Sequence, residues 1–328
     1  MKILITGAFG NIGGAIIEEA HRRQHEVIVF EIDTEKNRRA ARKYRGKIQK
    51  VIFGDIRNFK DVKEALLESE SVIHLAGIIP PLSKKNRELT MDVNYGGTAN
   101  LVNAIRESNR DIPLIFTSSV TVMGATQLQQ NLVSRHDPLV ITGNYEESKI
   151  KCEEFLTKHA ENYLAFRLAG VLPKFSVRSF RGIFPLIEEI FDMHPEMRLE
   201  LISADDVATA LLTGAEKLKS CKTPQNQVYI LGGGAKNGWQ LSGGEFINRL
   251  FGALSLPVPD RKYFTQDINN YHLDWYDTRE AEEEFDFQHT SIEDYLNCLR
   301  KSFRPFKLPI LLFRGPITTW LVKMSPYS

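Results

Sequence analysis

Tyr145 and Lys149 are four residues apart in the run Tyr145-Glu146-Glu147-Ser148-Lys149. On a helix, positions i and i+4 share a face, so a phenol and an ammonium group there point into one cleft. A phenol titrates near about 10 in water, too high for ready proton exchange at neutral pH. A neighbouring ammonium favours the phenolate and draws that value toward the working range. The chemistry this pair suits is proton transfer to or from a substrate hydroxyl or carbonyl. The run Ser118-Ser119-Val120-Thr121 offers hydroxyls for the same substrate oxygen, with Ser119 one candidate. Ser118 and Thr121 are neighbours able to take that role, and a capping or loop serine is the plainer alternative.

A second chemical feature lies near the N-terminus. Gly7-Ala8-Phe9-Gly10-Asn11-Ile12-Gly13 follows a short apolar run and opens an amphipathic one. Glycines here permit a tight turn and bring backbone N–H groups against a pyrophosphate, at the positive end of a helix dipole. The spacing is GxxGxxG rather than GxGxxG, and by itself a glycine-rich turn without chemistry is the competing explanation. Glu31 stands 18 residues after Gly13. A carboxylate there accepts hydrogen bonds from adenosine ribose hydroxyls and repels a 2′-phosphate, which favours NAD over NADP. Asp33 is a nearby substitute. Arg38 and Arg39 either face a phosphate or clothe a solvated helix face, and the second is the preferred reading.

These residues need elements to hold them. Short apolar runs alternate with amphipathic stretches through the first half, the βαβ signal. Strands are expected at 2–6, 26–30, 49–53, 71–75, 113–117 and 164–168, with the β-branched and aromatic bias of parallel strands buried on both faces. Helices are expected at 11–23, 60–67, 93–107 and 145–159. After Gly170 the pattern changes; a helix over 205–218 and a strand over 227–231 follow, and residues 239–328 read as irregular. The expected fold is α/β, a Rossmann-type doubly wound parallel sheet with a smaller, discontinuous C-terminal substrate lobe. Residues 1–170 would form the dinucleotide domain, with 201–234 returning to it. Residues 171–200 and 235–328 would form the substrate lobe and tail.

In that order the motifs resemble the extended short-chain dehydrogenase/reductase superfamily, in its NAD-dependent epimerase/dehydratase branch. The loop from Thr6 to Gly13 matches TGxxGxxG. Gly54-Asp55-Ile56-Arg57 is similar to the segment that holds the adenine, and His74-Leu75-Ala76-Gly77 to the end of strand four beside the cofactor. Asn94 with Gly97 and Thr98 resembles an NxxGT helix start. Residues 118–124 resemble SSxxVYG, with Met123 where tyrosine is usual, and Tyr145 to Lys149 matches YxxxK. Arg167-Leu168-Ala169-Gly170 resembles the strand leading into the substrate lobe, and Asp205-Asp206-Val207-Ala208 the VDDVA segment. The resemblance implies a catalytic set of Ser119, Tyr145 and Lys149. It implies NAD bound by Gly7, Phe9, Gly10, Asn11, Ile12, Gly13, Glu31, Asp55, Ile56, Leu75, Ala76, Gly77, Asn94, Thr117, Ser118, Tyr145, Lys149 and Leu172. Lys149 would hold the nicotinamide ribose; Asn94 would hold backbone or a water, or act as a helix N-cap. A small-molecule substrate and a homodimer are implied as well. Degenerate members that only sense a dinucleotide usually lose the Tyr/Lys pair, which is present here.

Two regions depart from the family. Nucleotide-sugar members usually carry an Asn after strand six and an RPGD-like segment, and both are missing around residues 167–172 and before Trp275-Tyr276-Asp277-Thr278-Arg279. Arg178 and Arg181 either bind a substrate phosphate or are rim charges. Ile78-Ile79-Pro80-Pro81 would put apolar, rigid backbone near the nicotinamide, which suits a hydrophobic substrate or a structural lid. The tail carries Arg300, Lys301, Arg304, Lys307, Arg314 and Lys323, with no acid after Asp294, around apolar runs at 308–313 and 317–322. Such a segment suits packing on the substrate lobe, a dimer contact or a membrane surface; packing is the preferred reading.

Composition bounds the rest. A chain of 328 residues with 42% hydrophobic and 25% charged content is an ordinary globular protein. A net charge of +1 carries no nucleic-acid footprint. Cys152, Cys221 and Cys298 lie far apart, form no metal-ligand spacing and suggest a reducing, cytoplasmic setting. Glycines and acids interrupt the apolar start, which argues against a signal peptide.

Overall fold

The computed structural model describes residues 1–174, 189–221 and 225–327. Seven strands form the main sheet: β1 (Lys2–Thr6), β2 (Glu26–Glu31), β3 (Lys50–Phe53), β4 (Ser71–His74), β5 (Leu114–Ser119), β6 (Tyr163–Leu168) and β9 (Asn226–Leu231). Their order is β3-β2-β1-β4-β5-β6-β9, and every neighbouring pair is parallel. Parallel strands need covering on both faces, and the sequence complies: every residue of β4 and β6 is buried. The expected doubly wound sheet is therefore present. The strand order reverses beside β1, which opens a crevice at the carboxyl ends of β1 and β4.

Two apolar clusters fill the layers on either side. On one face, helix α1 (Asn11–Arg22) lays Ile16, Ile17 and Ala20 beside the residues of the long helix Ala204–Ser220. On the other, Val62 and Leu66 of helix Phe59–Leu66 meet Leu101 and Val102 of helix Gly97–Glu107. Helix Glu35–Lys43, expected only as the solvated face of Arg38 and Arg39 and without bounds, buries no side chain, so its sequence has no apolar stripe to read. Thr34 supplies its N-terminal signal, accepting from Asn37 N.

A smaller sheet of β7 (Gly170–Leu172), β8 (Arg198–Ser203) and β10 (Gln240–Ser242) forms the second lobe, in the order β10-β8-β7. The expectation that residues 239–328 are irregular is corrected here. Helix Gly243–Leu254 buries Phe246, Ile247, Leu250, Phe251 and Leu254, and helix Ile292–Phe303 starts on a Ser291/Asp294 capping box. Buried carboxylates tie this lobe together. Glu200 accepts from Gly234 N at 3.0 Å, Gln240 Nε2 at 2.9 Å and Tyr276 N at 2.9 Å. Asp206 accepts from Thr290 Oγ1 at 2.8 Å.

One buried ion pair sets the elements behind the crevice. Glu153, on helix Asn144–His159, accepts from Arg167 of β6 at 2.7 Å and from Ser118 of β5 at 2.6 Å. Both charged side chains are 6% exposed. Removing one partner leaves the other charge uncompensated, so Glu153→Ala should cost about 3–5 kcal/mol of unfolding free energy. A Glu153→Leu/Arg167→Met double variant should lose much less. Urea denaturation of the two variants checks this, and equal losses would count against it.

Candidate active site

The turn between β1 and α1 is built on close backbone approach. Gly7 has φ +70°, and a Cβ there would lie 2.7 Å from Ala76 N, at the end of β4. A Cβ on Gly13 would lie 2.3 Å from Ala8 O. Only glycine fits either position. Gly10 begins the helix, and no side chain caps it. The first-turn N–H groups are thus left for an anion.

Glu31, at the end of β2, points back toward this turn. Its Oε1 accepts from Phe9 N at 2.8 Å and its Oε2 from Asn37 Nδ2 at 3.1 Å. Burial raises its pKa, with the Phe9 N–H working against that shift. Asp33 is exposed and held by Arg38 at 2.5 Å, while Arg39 pairs with Glu35 at 2.8 Å. Both arginines therefore sit on the solvated helix face. The close turn, the uncapped helix start and the acid beyond β2 fit an adenine dinucleotide.

These groups share a cleft of about 760 Å³. Gly7, Phe9, Gly10, Asn11, Ile12, Gly13, Glu31, Asp55 and Ile56 line one end, and Leu75, Ala76, Gly77, Thr117, Ser118, Ser119, Tyr145 and Lys149 the rest. Lys36, Asn37, Ala169 and Val171 also line it and were not anticipated. Lys36 and Asn37 lie on the polar helix that carried no pattern. Two expected cofactor residues stand off the wall. Leu172 is buried beside Ser203 and Tyr295, because adjacent strand residues face opposite ways and Val171 takes the cleft side. Asn94 lies behind the wall: its Oδ1 accepts from Ile78 N at 2.6 Å, and its Nδ2 donates to Ser148 Oγ at 2.9 Å. It sits within a wide π turn, Met91–Gly96, so of the two readings it holds backbone, clamping Ile78 to the Tyr145 helix, and does not cap a helix. Arg178 and Arg181 lie outside the described residues.

Tyr145 and Lys149 enter the cleft from the same helix face. Lys149 Nζ is 5.9 Å from the Tyr145 ring centroid and donates to Thr117 O at 2.7 Å. Burial lowers the Lys149 pKa. Burial also raises the Tyr145 phenol above its ordinary value, and Glu146 adds to this, while the Ser119 hydroxyl opposes it. The expected drop from a neighbouring ammonium is thus not found among the protein groups alone. Ser119 Oγ lies 3.0 Å from Thr121 Oγ1, whereas Ser118 is committed to Glu153. That leaves Ser119 and Thr121 as the hydroxyls open to a substrate.

A buried histidine braces the floor. His74 Nδ1 lies 2.6 Å from Thr6 Oγ1 and its Nε2 3.0 Å from Thr98 Oγ1. Thr98 donates to Asn94 O at 2.6 Å, so the network places the imidazole proton on Nε2. Burial, aided by Lys149, lowers the His74 pKa from 6.5 to about 3. The unfolded chain therefore binds a proton in that window that the folded protein refuses, and stability falls as pH drops from 6.5 toward 3. Glu200, raised from 4.5 to about 7 by burial, acts with the opposite sign between those values. Chemical denaturation across this range should show a smaller acid loss for His74→Gln than for the unaltered protein; identical slopes would contradict it.

Comparison with known proteins matches this architecture. The model of the NAD dependent epimerase/dehydratase family matches residues 3–178. The chain is similar to the CDP-paratose 2-epimerase of Salmonella typhi, 32% identical over 129 residues, which is 38% of each chain. It thus spans well under half of that relative's length. It is also similar to the 3-beta-hydroxysteroid dehydrogenase of Mycolicibacterium neoaurum, 25% identical over 294 residues, covering 84% of this chain and 76% of that one. Among solved structures, UDP-glucose-4-epimerase from Stenotrophomonas maltophila, with bound NAD and formylated UDP-arabinopyranose, shares the fold. Its TM-score is 0.75 at 19% identity, covering 94% of this chain and 99% of that one.

Proposed function

Because the chain belongs to the NAD-dependent epimerase/dehydratase family, we propose that it moves hydride at a secondary alcohol or ketone carbon, with Tyr145 as acid and base. One observation carries this reading: Ser119, Tyr145 and Lys149 line the same cleft as the glycine turn and Glu31. NAD, the cofactor of the family, supplies the hydride acceptor or donor at its nicotinamide ring. The chain's own residues do the rest. Gly7, Gly10 and Gly13 let the backbone close on the pyrophosphate, and Glu31 takes the adenosine ribose, which favours NAD over NADP. Lys149, anchored on Thr117 O, holds the nicotinamide ribose and places positive charge beside the phenol. Ser119 donates to the substrate oxygen, and Tyr145 takes or returns its proton.

The substrate we assign is a secondary alcohol on an apolar scaffold. Ile78 and Ile79 line the cleft, and exposed Val140 and Ile141 lie just before the Tyr145 helix. The Ile78 and Ile79 side chains offer little to a sugar hydroxyl but cover hydrocarbon well. A hydroxysteroid, the substrate named for the Mycolicibacterium relative, belongs to that class. The second reading is a nucleotide-sugar epimerase that retains its cofactor, favoured by the similarity to the Salmonella epimerase.

Tyr145→Phe should lower kcat by about 10²–10⁴ while leaving NADH binding intact, read by stopped assays and fluorescence titration. Full activity in that variant would remove Tyr145 from the acid/base role. Absorbance assays with hydroxysteroids and with UDP- and CDP-sugars separate the substrates. NADH release with the former supports the first reading; sugar interconversion without NADH release establishes the second.

A further inference from the structure

We infer that the C-terminal arm docks the protein on an anionic phospholipid surface. The arm is two short helices, Lys307–Leu312 and Arg314–Val322, joined at Phe313. Pro309 and Pro316 fall in their first turns, where a missing N–H costs no helical bond. Ile310 and Leu321 are buried and seat one side of each helix on the body. Beyond the second helix, Ser325 Oγ donates to Tyr263 O at 2.5 Å and the Tyr327 hydroxyl to Asp192 at 2.8 Å. The arm is therefore held along one side and at its far end.

What it presents outward is hydrocarbon. Leu308, Leu312 and Phe313 are 67%, 72% and 61% exposed, and Leu311 is 49% exposed. Clustered exposure of this kind marks an interaction surface rather than scattered surface apolar residues. Around it stand Arg304, Lys307 and Arg314, all exposed and without an ion pair among the described residues. No acidic residue follows Asp294. An apolar tip ringed by cations on flexible stems matches the acyl boundary and anionic headgroups of one bilayer leaflet. No helix among the described residues is long and apolar enough to cross a membrane, so the contact lies in the interface. A second copy fits less well: a two-fold contact through this patch would set Lys307 and Arg314 against the same charges. The inference does not depend on the substrate reading, since vesicle binding needs no turnover.

The test is co-sedimentation of the full chain with phosphatidylcholine vesicles, with and without phosphatidylserine. Binding should require phosphatidylserine and weaken with added salt. Leu311→Ser/Leu312→Ser/Phe313→Ser should lower it about tenfold or more, and Lys307→Gln/Arg314→Gln should do the same. NADH titration of both variants should match the unaltered protein, which shows that their folds persist. Absence of vesicle binding, or equal binding by all three proteins, overturns the inference. So does a triple-serine variant that changes from dimer to monomer in light scattering while vesicle binding is absent, which would make the patch a contact between copies.

Discussion

The backbone of the first turn approaches the ends of its neighbours so closely that no side chain fits. At Gly7 a Cβ would collide with Ala76 N, and at Gly13 with Ala8 O. That contact sets where α1 begins relative to β1 and β4. It therefore fixes the uncapped helix start, the position of Glu31 opposite Phe9 N, and the floor on which Ala76 and Gly77 meet the cleft. Everything proposed for the cofactor follows from a steric limit, with charge added afterwards.

Electrostatics in the same cleft runs against the simplest expectation. A phenol and an ammonium on one helix face suggest a lowered phenol pKa, yet burial raises Tyr145 and Lys149 gives its hydrogen bond to Thr117 O. Desolvation is the largest cause of that rise, and the Lys149 ammonium stands 5.9 Å from the ring centroid. The protein frame positions the pair but does not activate it alone. Under the proposed function, a phenol held neutral by burial would serve as the acid in ketone reduction. In the reverse direction the same proposal requires the bound reactants to supply the charge that would favour the phenolate.

The cofactor half was legible in the sequence because it is built from local patterns. Strand runs, the glycine turn and Glu31 each show within a few residues. Failures arose where a neighbour in sequence was ambiguous. Leu172 and Val171 differ only in which face they take. Lys36 and Asn37 escaped because their helix buries nothing. The amphipathic stripe of Gly243–Leu254 was readable, with Phe246, Leu250 and Leu254 in helical register, but proline and aromatic residues around it obscured the period.

The second lobe resists such reading for a different reason. Its order rests on buried carboxylates whose partners are far away in sequence: Glu200 reaches Tyr276, and Asp206 reaches Thr290. No local pattern announces a buried acid, since the same residue type is usually solvated. β8, which carries Glu200, pairs with β7, and Val171 of β7 lines the cleft beside Ala169. Cofactor binding draws on backbone geometry that many sequences can encode. Under the proposed function, the shape offered to the substrate would depend on long-range polar contacts such as Glu200–Tyr276 and Asp206–Thr290.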